Sequence, residues 1–455
     1  MKVKLLLTGS VMLCSLFVVQ VSLAQCGQAG SGTNGGVFCM VPDSTHHCLY
    51  MGGGFQTSGM DSLRHCGSWN DTAYFPMSMM GHNGCNDSVW CFAMFHDTLF
   101  CGGNFTMAGG IPCNHLARWD GTSWSPVGNG FNAPVHALCV YNNQLVAGGS
   151  FTASASTPVN HLGYWNGSQW MQAGNGINGD VTSMTVYNNS LCIGGNFTMA
   201  GSMTANHICA WNGSSYSAMG SGMSGMGGST TVNTLCAYNG NLYCGGVFTT
   251  GGSGSMQNLG MWNGSSWNSV GNISNGMMPG SVSALCVYAG NLYAGGTFSS
   301  CGSSSASNIG MWNGSAWSSI GSGMNGAVQS LAVYNNTLYL AGTFTNAAGT
   351  SVNNVAKYST VTGIQPLNGN RHFLAVYPNP ARDFIRVTWI GEKSSNTTWM
   401  ISDITGRTLS QQDAGMLSAG INEENIAVSN LPRGIYFLTL YSNDKKYITK
   451  FQVIR

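Results

Sequence analysis

Hydrophobic and polar positions alternate in short runs along most of the chain, and the runs recur in a fixed order. The clearest run has the pattern V-x-x-L-x-V-Y, as at residues 135–141, and an Asn or Gly turn joins it to a run that ends in G-G-x-F. Such alternation is typical of half-buried strands, and a turn of this kind between two runs indicates a hairpin. The repeats lack the 3.6-residue period of a helix. The pattern therefore predicts an all-β fold.

The runs belong to a repeat that is best aligned on the phenylalanine of G-G-x-F. Seven copies carry it, at Phe55, Phe105, Phe151, Phe197, Phe248, Phe298 and Phe344. Fourteen residues further along stands a first aromatic, at Trp69, Trp119, Trp165, Trp211, Trp262, Trp312 and Tyr358. Five residues later six copies have a second aromatic, at Tyr74, Trp124, Trp170, Tyr216, Trp267 and Trp317. Each copy contains four predicted strands, which is typical of a propeller blade. We therefore predict a seven-bladed β-propeller over residues 25–365.

The two ends of the repeat region fit together. Residues 30–40, GSGTNGGVFCM, match residues 321–331, GSGMNGAVQSL, and the last copy has Gly363 where the second aromatic belongs. We expect residues 26–30 to supply the outer strand of the seventh blade, because closing the ring removes an exposed edge. Within a blade, the double glycine is expected to allow close backbone approach and the tryptophans to form the wedge between blades.

The double glycine followed by two spaced aromatics resembles the repeats of kelch and galactose-oxidase-type propellers. The segments LYAGGTF and NIGMWNGSAW are more similar still to propeller repeats of bacterial surface proteins. The resemblance implies the fold and leaves the function open, because propellers carry many unrelated sites.

The connection between blades is the part of the repeat whose length varies. From the first aromatic to the next Val it measures 20, 16, 16, 21, 20 and 16 residues. We expect it on the same face as the loop between the second and third strands. Because loops on a rigid scaffold often bind ligands and methionine adapts its shape, the candidate ligand contacts are Met77, Met79, Met80, Met223, Met226, Met277 and Met278. The alternative is that the long connections are merely tolerated insertions.

Four residues before the first aromatic, the first four copies have a histidine and the last three have an asparagine. These residues are His65, His115, His161, His207, Asn258, Asn308 and Asn354. Both residue types can hydrogen-bond the start of a strand, and equivalent sites in different blades lie too far apart to share a metal. We therefore predict no metal site and no cofactor. Residues 26–370 contain no Glu, and neither a pair of carboxylates nor a nucleophilic triad is visible, so no catalytic residue is predicted.

Charge separates the chain into two parts. Asp, Glu, Lys and Arg make up 6% of the residues, against about 25% in ordinary soluble domains. Residues 26–370 contain three basic and seven acidic side chains, whereas residues 371–455 contain seventeen charged ones. Three basic residues are too few to neutralise a phosphate backbone, so nucleic acid is excluded as a partner. The change in composition predicts a domain boundary near residues 365–371.

Residues 371–455 alternate in a way that predicts a small Ig-like β-sandwich. They resemble the type A C-terminal sorting domain of type IX secretion, and the residues that carry the resemblance are Tyr377, Pro378, Asn379, Pro380, Gly406, Gly434, Tyr436 and Lys450. The resemblance implies that the type IX machinery is a partner. It also implies removal of the tail, followed by release of the protein or its attachment to lipopolysaccharide.

Residues 1–24 have two lysines, an apolar run and a Ser-Leu-Ala end, which predicts a cleaved signal peptide. No later run is apolar over a length that would span a membrane. Fifteen cysteines follow this segment, so at least one would be unpaired or would form an intermolecular disulfide. Five of them occupy repeated strand positions and are interpreted as small buried apolar residues: Cys101, Cys139, Cys236, Cys244 and Cys286.

Taken together, the sequence predicts a protein that is secreted or held at the outer-membrane surface. The function it favours is a binding or adhesion module for a glycan or a protein. A secreted enzyme acting on extracellular carbohydrate and a structural surface component are the alternatives.

Overall fold

The computed structural model describes residues 25–79, 81–225, 230–252, 254–276, 280–359, 374–377, 379–391, 395–417, 420–442 and 445–454. The regular elements in these ranges are β-strands, which confirms the predicted all-β class. None of these residues forms a helix long and apolar enough to cross a membrane. The chain divides into two compact units, of which one is Ala24–Ser359 and the other contains residues 360–455. The predicted signal peptide lies outside the described residues.

The first unit contains seven four-stranded antiparallel sheets, each called a blade here. The first strands are Val37–Asp43, Val89–Phe95, Val135–Tyr141, Val181–Tyr187, Thr231–Tyr238, Ser281–Tyr288 and Val328–Tyr334. The second strands are Cys48–Gly53, Thr98–Gly103, Gln144–Gly149, Ser190–Gly195, Asn241–Val247, Asn291–Thr297 and Thr337–Gly342. The third strands are Cys66–Trp69, Leu116–Trp119, Leu162–Trp165, Ile208–Trp211, Leu259–Trp262, Ile309–Trp312 and Val355–Ser359. The outer strands are Tyr74–Pro76, Trp124–Pro126, Trp170–Gln172, Tyr216–Ala218, Trp267–Ser269, Trp317–Ser319 and, for the last sheet, Gln25–Gln28.

The blades form a closed ring. Each first strand contacts the first strand of the next blade, and that of the last blade contacts Val37–Asp43 of the first. The first strands therefore surround the central axis. The strand Gln25–Gln28 pairs with Val355–Ser359, with Cys26 opposite Tyr358. This pairing confirms that the N-terminal residues complete the last blade, and it covers a sheet edge that would otherwise be open.

A hairpin between the second and third strands of every blade was not predicted, because two-residue strands leave no readable period. Its strand pairs are Thr57–Ser58 with Asp61–Ser62, Met107–Ala108 with Ile111–Pro112, Ala153–Ser154 with Thr157–Pro158, Met199–Ala200 with Met203–Thr204, Thr250–Gly251 with Gly254–Ser255, Ser300–Cys301 with Ser304–Ser305, and Asn346–Ala347 with Thr350–Ser351.

The connections between blades dock on these hairpins. Met223–Ser224 pairs with Thr250–Gly251, and Ile273–Ser274 pairs with Ser300–Cys301. The first long connection contains a hairpin of its own, Ser78–Met79 with His82–Asn83. Each connection therefore lies on the same face as the loop between the second and third strands, as predicted.

The two glycines of G-G-x-F lie against different neighbours. A Cβ placed on Gly295 would lie 2.5 Å from Cγ1 of Val328 in the next blade, and the first glycine of the five preceding copies makes the same contact at 2.4 to 2.6 Å. A Cβ on Gly296 would lie 2.0 Å from the carbonyl oxygen of Ser281 in its own blade. The first glycine thus allows blades to meet, and the second allows two strands to meet. The last copy has Ala341 at the first position, fully buried in one cluster with Val37.

We expect the substitution Gly296→Ala to lower the free energy of unfolding by about 1–3 kcal/mol or more, because the methyl group would collide with backbone that cannot rotate away. The matched control is Ala341→Gly, which removes a methyl group from the equivalent of the first glycine and should cost about 0.5–1 kcal/mol. Urea unfolding of the two variants measures both values. A Gly296→Ala variant as stable as the parent would contradict the close approach.

In six blades the second aromatic joins the blade to the preceding one. Its ring N–H or O–H donates to a carbonyl of the chain that follows the preceding outer strand, at 2.7 to 3.2 Å. The pairs are Tyr74 with Ala29, Trp124 with Met77, Trp170 with Val127, Tyr216 with Ala173, Trp267 with Met219, and Trp317 with Val270. These aromatics therefore form the wedge between blades that the sequence predicts.

The C-terminal unit is built from two sheets that share one core. The first contains Leu374–Tyr377, Phe384–Gly391 and Gly420–Ala427, and the second contains Thr408–Leu417, Ser395–Asp403, Gly434–Ser442 and Lys445–Val453. Ile385 and Trp389 from the first sheet and Trp399 and Leu438 from the second lie in the same buried cluster. This is the small sandwich that the alternating pattern predicts.

Candidate functional site

Every first strand contains a β-bulge directly after the valine that recurs near its start in all seven blades. At the bulge the pairing with the second strand skips one residue. The skipped residues are Phe38, Trp90, His136, Thr182, Asn233, Ser283 and Gln329, and we call them the bulge ring. A bulge redirects the side chain of the extra residue, and bulges are frequent beside binding sites. The connections between blades end just before these positions, so the bulge ring lies where they enter the central channel.

Members of the bulge ring reach toward the next blade around the axis. The rings of Trp90 and His136 lie with centroids 4.4 Å apart. The Thr182 hydroxyl donates to the carbonyl of Val232 at 2.6 Å, at the start of the next first strand. A Cβ on Gly36 would lie 2.8 Å from a ring carbon of Phe38 and 3.4 Å from Oε1 of Gln329. Trp90 thus meets His136 of the next blade, and Phe38 and Gln329 of the first and last blades both lie close to Gly36.

The bulge ring is divided by chemistry. Its aromatic arc consists of Phe38, Trp90 and His136, and its polar arc consists of Thr182, Asn233, Ser283 and Gln329. Trp90 is 37% exposed although it is a large apolar residue. The Oε1 atom of Gln329 is buried and has no hydrogen-bond partner among the described residues. An unsatisfied buried acceptor is costly and is often completed by a ligand or water.

Residue type varies from blade to blade at the bulge ring, whereas the neighbouring valine and glycine positions hardly change. The valine before each member is constant, and the glycine against which that valine packs is replaced only once, by Ala341. A position needed only for folding would repeat as these neighbours do. The sequence carries this signal in the aligned column, but the prediction missed it because the column falls inside a strand and not in a loop.

Asp87 is a carboxylate that lies two residues before the first strand of the second blade, at the same end of that strand as Trp90. Asp87 accepts hydrogen bonds from the backbone N–H of Ser88 at 2.6 Å and from Nδ2 of Asn104 at 2.7 Å. These donors hold the pKa of Asp87 below its usual value. Asp87 is therefore ionised at neutral pH, whereas a general acid needs a raised pKa.

The histidine of the bulge ring is held in place and kept neutral. The Nε2 atom of His136 lies 2.8 Å from the hydroxyl of Ser150. Burial lowers the pKa of His136, because the charged form is poorly solvated there. His136 therefore presents a neutral aromatic face beside Trp90 at physiological pH.

The methionines predicted as ligand contacts differ in what the structure shows for them. Met77 and Met223 are only 2% and 1% exposed and belong to the buried clusters of the blades. The ligand-contact prediction is corrected for these two, because the connection folds back onto the next blade and carries their side chains inward. Met79 ends the short strand Ser78–Met79. The remaining four, Met80, Met226, Met277 and Met278, lie outside the described residues.

The histidine and asparagine column has a backbone role. All seven residues have φ between 61° and 71°, a conformation that favours Asn and His over most residues. The backbone N–H of His161 donates to Phe151, and its carbonyl accepts from Gly149. In Asn308 the side chain also accepts from the N–H of Phe298 at 3.0 Å and donates to Met324 at 2.9 Å. The column therefore closes the hairpin between the second and third strands, as its hydrogen-bonding chemistry predicts.

Most cysteines in the described part of the chain are buried. The fifteen described cysteines are free thiols, and Cys101 and Cys244 are buried at repeated positions as predicted. Cys139, Cys236 and Cys286 are only partly buried. Burial raises the pKa of the Cys101 thiol to about 12, so it stays protonated. Among these residues no three His, Cys, Asp or Glu side chains converge as metal ligands would.

Most of the described sorting residues lie near the start of the strand Gly434–Ser442, where Tyr436 is paired between Asp403 and Phe451. Asn379 donates to the carbonyl of Lys450 at 3.2 Å and accepts from the N–H of Gln452 at 2.9 Å, so the opening motif is bound to the last strand. The peptide bond before Pro380 is cis. Tyr377 pairs with Arg386 in the first sheet, and Pro378 lies outside the described residues.

The remaining sorting residues shape turns. The O–H of Tyr436 donates to the carbonyl of Pro432 at 2.7 Å, and Gly434 begins the same strand. Gly406 has φ of 85° in the turn that the Asp403 carboxylate caps through the N–H of Thr405.

Comparison with known proteins identifies the C-terminal unit. Residues 375–454 match the family model of the secretion system C-terminal sorting domain. No curated protein matches the chain.

Solved structures resemble the whole chain at low identity. PorZ, a surface component of the type IX secretion system of Porphyromonas gingivalis, is 16% identical, with a TM-score of 0.45 over 94% of this chain, which spans 60% of PorZ. The GH74 enzyme of Niastella koreensis is 11% identical, with a TM-score of 0.43, over 94% of this chain and 74% of that one. The sorting domain confirms the predicted localisation: the chain is an all-β, propeller-like protein that the type IX secretion system delivers to the cell surface or beyond.

Proposed function

We propose that the chain is a binding module whose ligand is a glycan held by the bulge ring at the mouth of the central channel. The observation that carries this proposal is the change of residue type at the bulge ring between otherwise repeated blades. An irregular ring on a regular scaffold suits a ligand that has different chemistry on its different sides. Sites for small ligands are concave, largely apolar and completed by a few polar groups.

The aromatic arc and the polar arc match the two kinds of surface on a sugar ring. Trp90 and His136 offer faces against which the C–H groups of a pyranose can pack, and Trp90 is already partly exposed. In the polar arc, next to Phe38, Gln329 has an acceptor that lacks a partner among the described residues, which a sugar hydroxyl would supply. The hydrogen bonds that lower the pKa of Asp87 make it an ionised acceptor for sugar hydroxyl groups and do not suit a general acid, which needs the opposite shift.

The proposal also includes the predictions made from sequence for the long connections, the signal peptide and the C-terminal tail. We propose that the connections with Met79, Met80, Met226, Met277 and Met278 border the bulge ring and contact the ligand beyond it. Residues 1–24 would act as a signal peptide, and residues 371–455 would be removed after transport, leaving a kelch-like propeller released or attached to lipopolysaccharide. Such a product would act in adhesion, whether its partner is a glycan alone or a glycosylated protein.

The test is a glycan array with the full chain, followed by calorimetry on the strongest hit. The variants Trp90→Ala and Gln329→Ala should each weaken binding at least tenfold, which corresponds to about 1.4 kcal/mol. The control is Phe75→Ala, which removes a 47% exposed aromatic from the outer strand of the first blade and should leave binding unchanged. Equal affinity in Trp90→Ala and the parent would contradict the site.

A further inference from the structure

A second concave site lies between the second and third blades, on the face opposite the bulge ring. It is a groove of ≈ 410 Å³, lined among others by Phe95, Arg118, Asn143, Trp165 and Asn166. Phe95 ends the first strand near whose start Trp90 lies, so the groove and the bulge ring occupy opposite ends of that strand. The groove is therefore separate from the site proposed above.

The groove lies at one of the two blade interfaces that lack a hydrogen bond found at the other five; the first blade has Asp43 and the second has Phe95 where the others have a tyrosine. At five blade interfaces a tyrosine at the end of the first strand donates its O–H to a carbonyl in the first turn of the next blade, at 2.6 to 3.0 Å. The pairs are Tyr141 with Asn189, Tyr187 with Gly240, Tyr238 with Gly290, Tyr288 with Asn336, and Tyr334 with His47. The second blade has Phe95 at this position and cannot make the bond.

The ring of Phe95 nevertheless has the orientation of those tyrosines. Phe95 and Phe100 lie 6.1 Å apart at 56°, and the equivalent Tyr238 and Tyr243 lie 5.7 Å apart at 59°. The missing hydroxyl would point at the turn that contains Asn143. The substitution thus opens space at this interface without disturbing the packing of the ring.

Arg118 gives the groove its chemistry. It is one of three basic residues between residues 26 and 370, and its exposed side chain makes no ion pair or hydrogen bond with any described residue. A guanidinium group binds a carboxylate through two parallel hydrogen bonds. Beside it lie the half-buried rings of Trp165 and Phe95 and the amide groups of Asn143 and Gln144. His96 stacks on one face of Phe95, with ring centroids 4.0 Å apart, and its Nε2 atom lies 3.2 Å from Oδ1 of Asn143, so the other Phe95 face and the Asn143 NH₂ group are the ones offered to a ligand. The combination is an apolar platform, one fixed positive charge and neutral hydrogen-bonding groups.

We propose that this groove binds an acidic sugar unit, with its carboxylate on Arg118 and its ring against Trp165 and Phe95. The platform fits the flat apolar face of a pyranose, and the amides fit its hydroxyl groups. An acidic peptide would use Arg118 but would gain little from the two aromatic faces, so the groove favours a polysaccharide that contains uronic acid.

The test measures binding of a galacturonic acid hexasaccharide to the full chain by calorimetry. Arg118→Gln should weaken binding at least tenfold. The matched control is Lys357→Gln, which removes the exposed cation at the same strand position of the last blade and should leave the affinity unchanged. Phe95→Tyr should restore the missing bond to the turn at Asn143, narrow the groove and weaken binding at least tenfold, with a melting temperature equal to or above that of the parent.

Three results would overturn the proposal. The first is undiminished affinity in Arg118→Gln. The second is equal affinity for a neutral galactose hexasaccharide, and the third is equal affinity for a hexaglutamate peptide. Because Phe95→Tyr is expected to stabilise the fold, loss of binding in that variant cannot be attributed to unfolding.

Discussion

Replacing Trp317 with alanine is expected to lower the free energy of unfolding by about 3–5 kcal/mol. The side chain is only 8% exposed, and its Nε1 atom donates to the carbonyl of Val270 in the preceding blade at 2.7 Å. The substitution removes a large apolar surface from the interface and leaves a buried carbonyl without its donor. Chemical unfolding of the full chain, monitored by circular dichroism, measures the loss.

Two variants of the same blade are matched to this prediction. Trp312→Ala should cost less, because Trp312 is half-buried and its ring lies 5.5 Å from Trp317 without bridging to the preceding outer strand. Trp317→Phe should lie between the two, since it keeps most of the packing and loses the hydrogen bond. If Trp312→Ala were the more destabilising of the two alanine variants, the second aromatic would not be the main link between blades.

The triple variant His65→Asn, His115→Asn and His207→Asn is expected to make the protein less sensitive to acid. Burial lowers the pKa of each histidine below its ordinary value of 6.5. The unfolded chain therefore binds protons at a higher pH than the folded chain. Stability is fully present above about pH 6.5 and falls as the pH drops below it, at up to about 1.4 kcal/mol per pH unit for each histidine.

The repeat itself supplies the replacement in this experiment. Asn258, Asn308 and Asn354 occupy the same column with the same positive φ, so asparagine should preserve the backbone. At pH 7.5 the free energy of unfolding should be similar for the parent and the variant. Between pH 7.5 and pH 5.5 that free energy should fall less in the variant than in the parent. An equal loss in both proteins would mean that other groups cause the acid sensitivity.

Much of the fold could be predicted because the residues that each structural feature requires recur in seven copies of the repeat. The alternating runs, the Asn and Gly turns and the constant spacing from Phe298 to Trp312 to Trp317 define one blade, and the N-terminal match predicts the closing strand Gln25–Gln28. The short hairpins could not be predicted, because two paired residues have no period. Their partner is a connection from the preceding blade, and such pairing is a tertiary contact.

The candidate site was harder to predict than the fold. Sequence reasoning looked for function where length varies and chose the methionines of the long connections, yet Met77 and Met223 lie in the core. Length variation indicates a surface segment but does not say which of its side chains point outward. The bulge ring needed the strand register, since only the skipped pairing at Trp90 or Gln329 separates a channel-facing residue from a packed one.

The sequence by itself determined the repeating elements, the wedge of aromatics between blades and the sorting domain, because each depends on local pattern or on residues repeated at fixed spacing. Only the tertiary structure decided which residues meet. It placed seven dissimilar bulge residues on the first strands that surround one axis, and it placed Arg118 beside Trp165 at an interface where Phe95 cannot make the tyrosine hydrogen bond. These placements depend on the packing of one blade against the next, and no single blade contains that information.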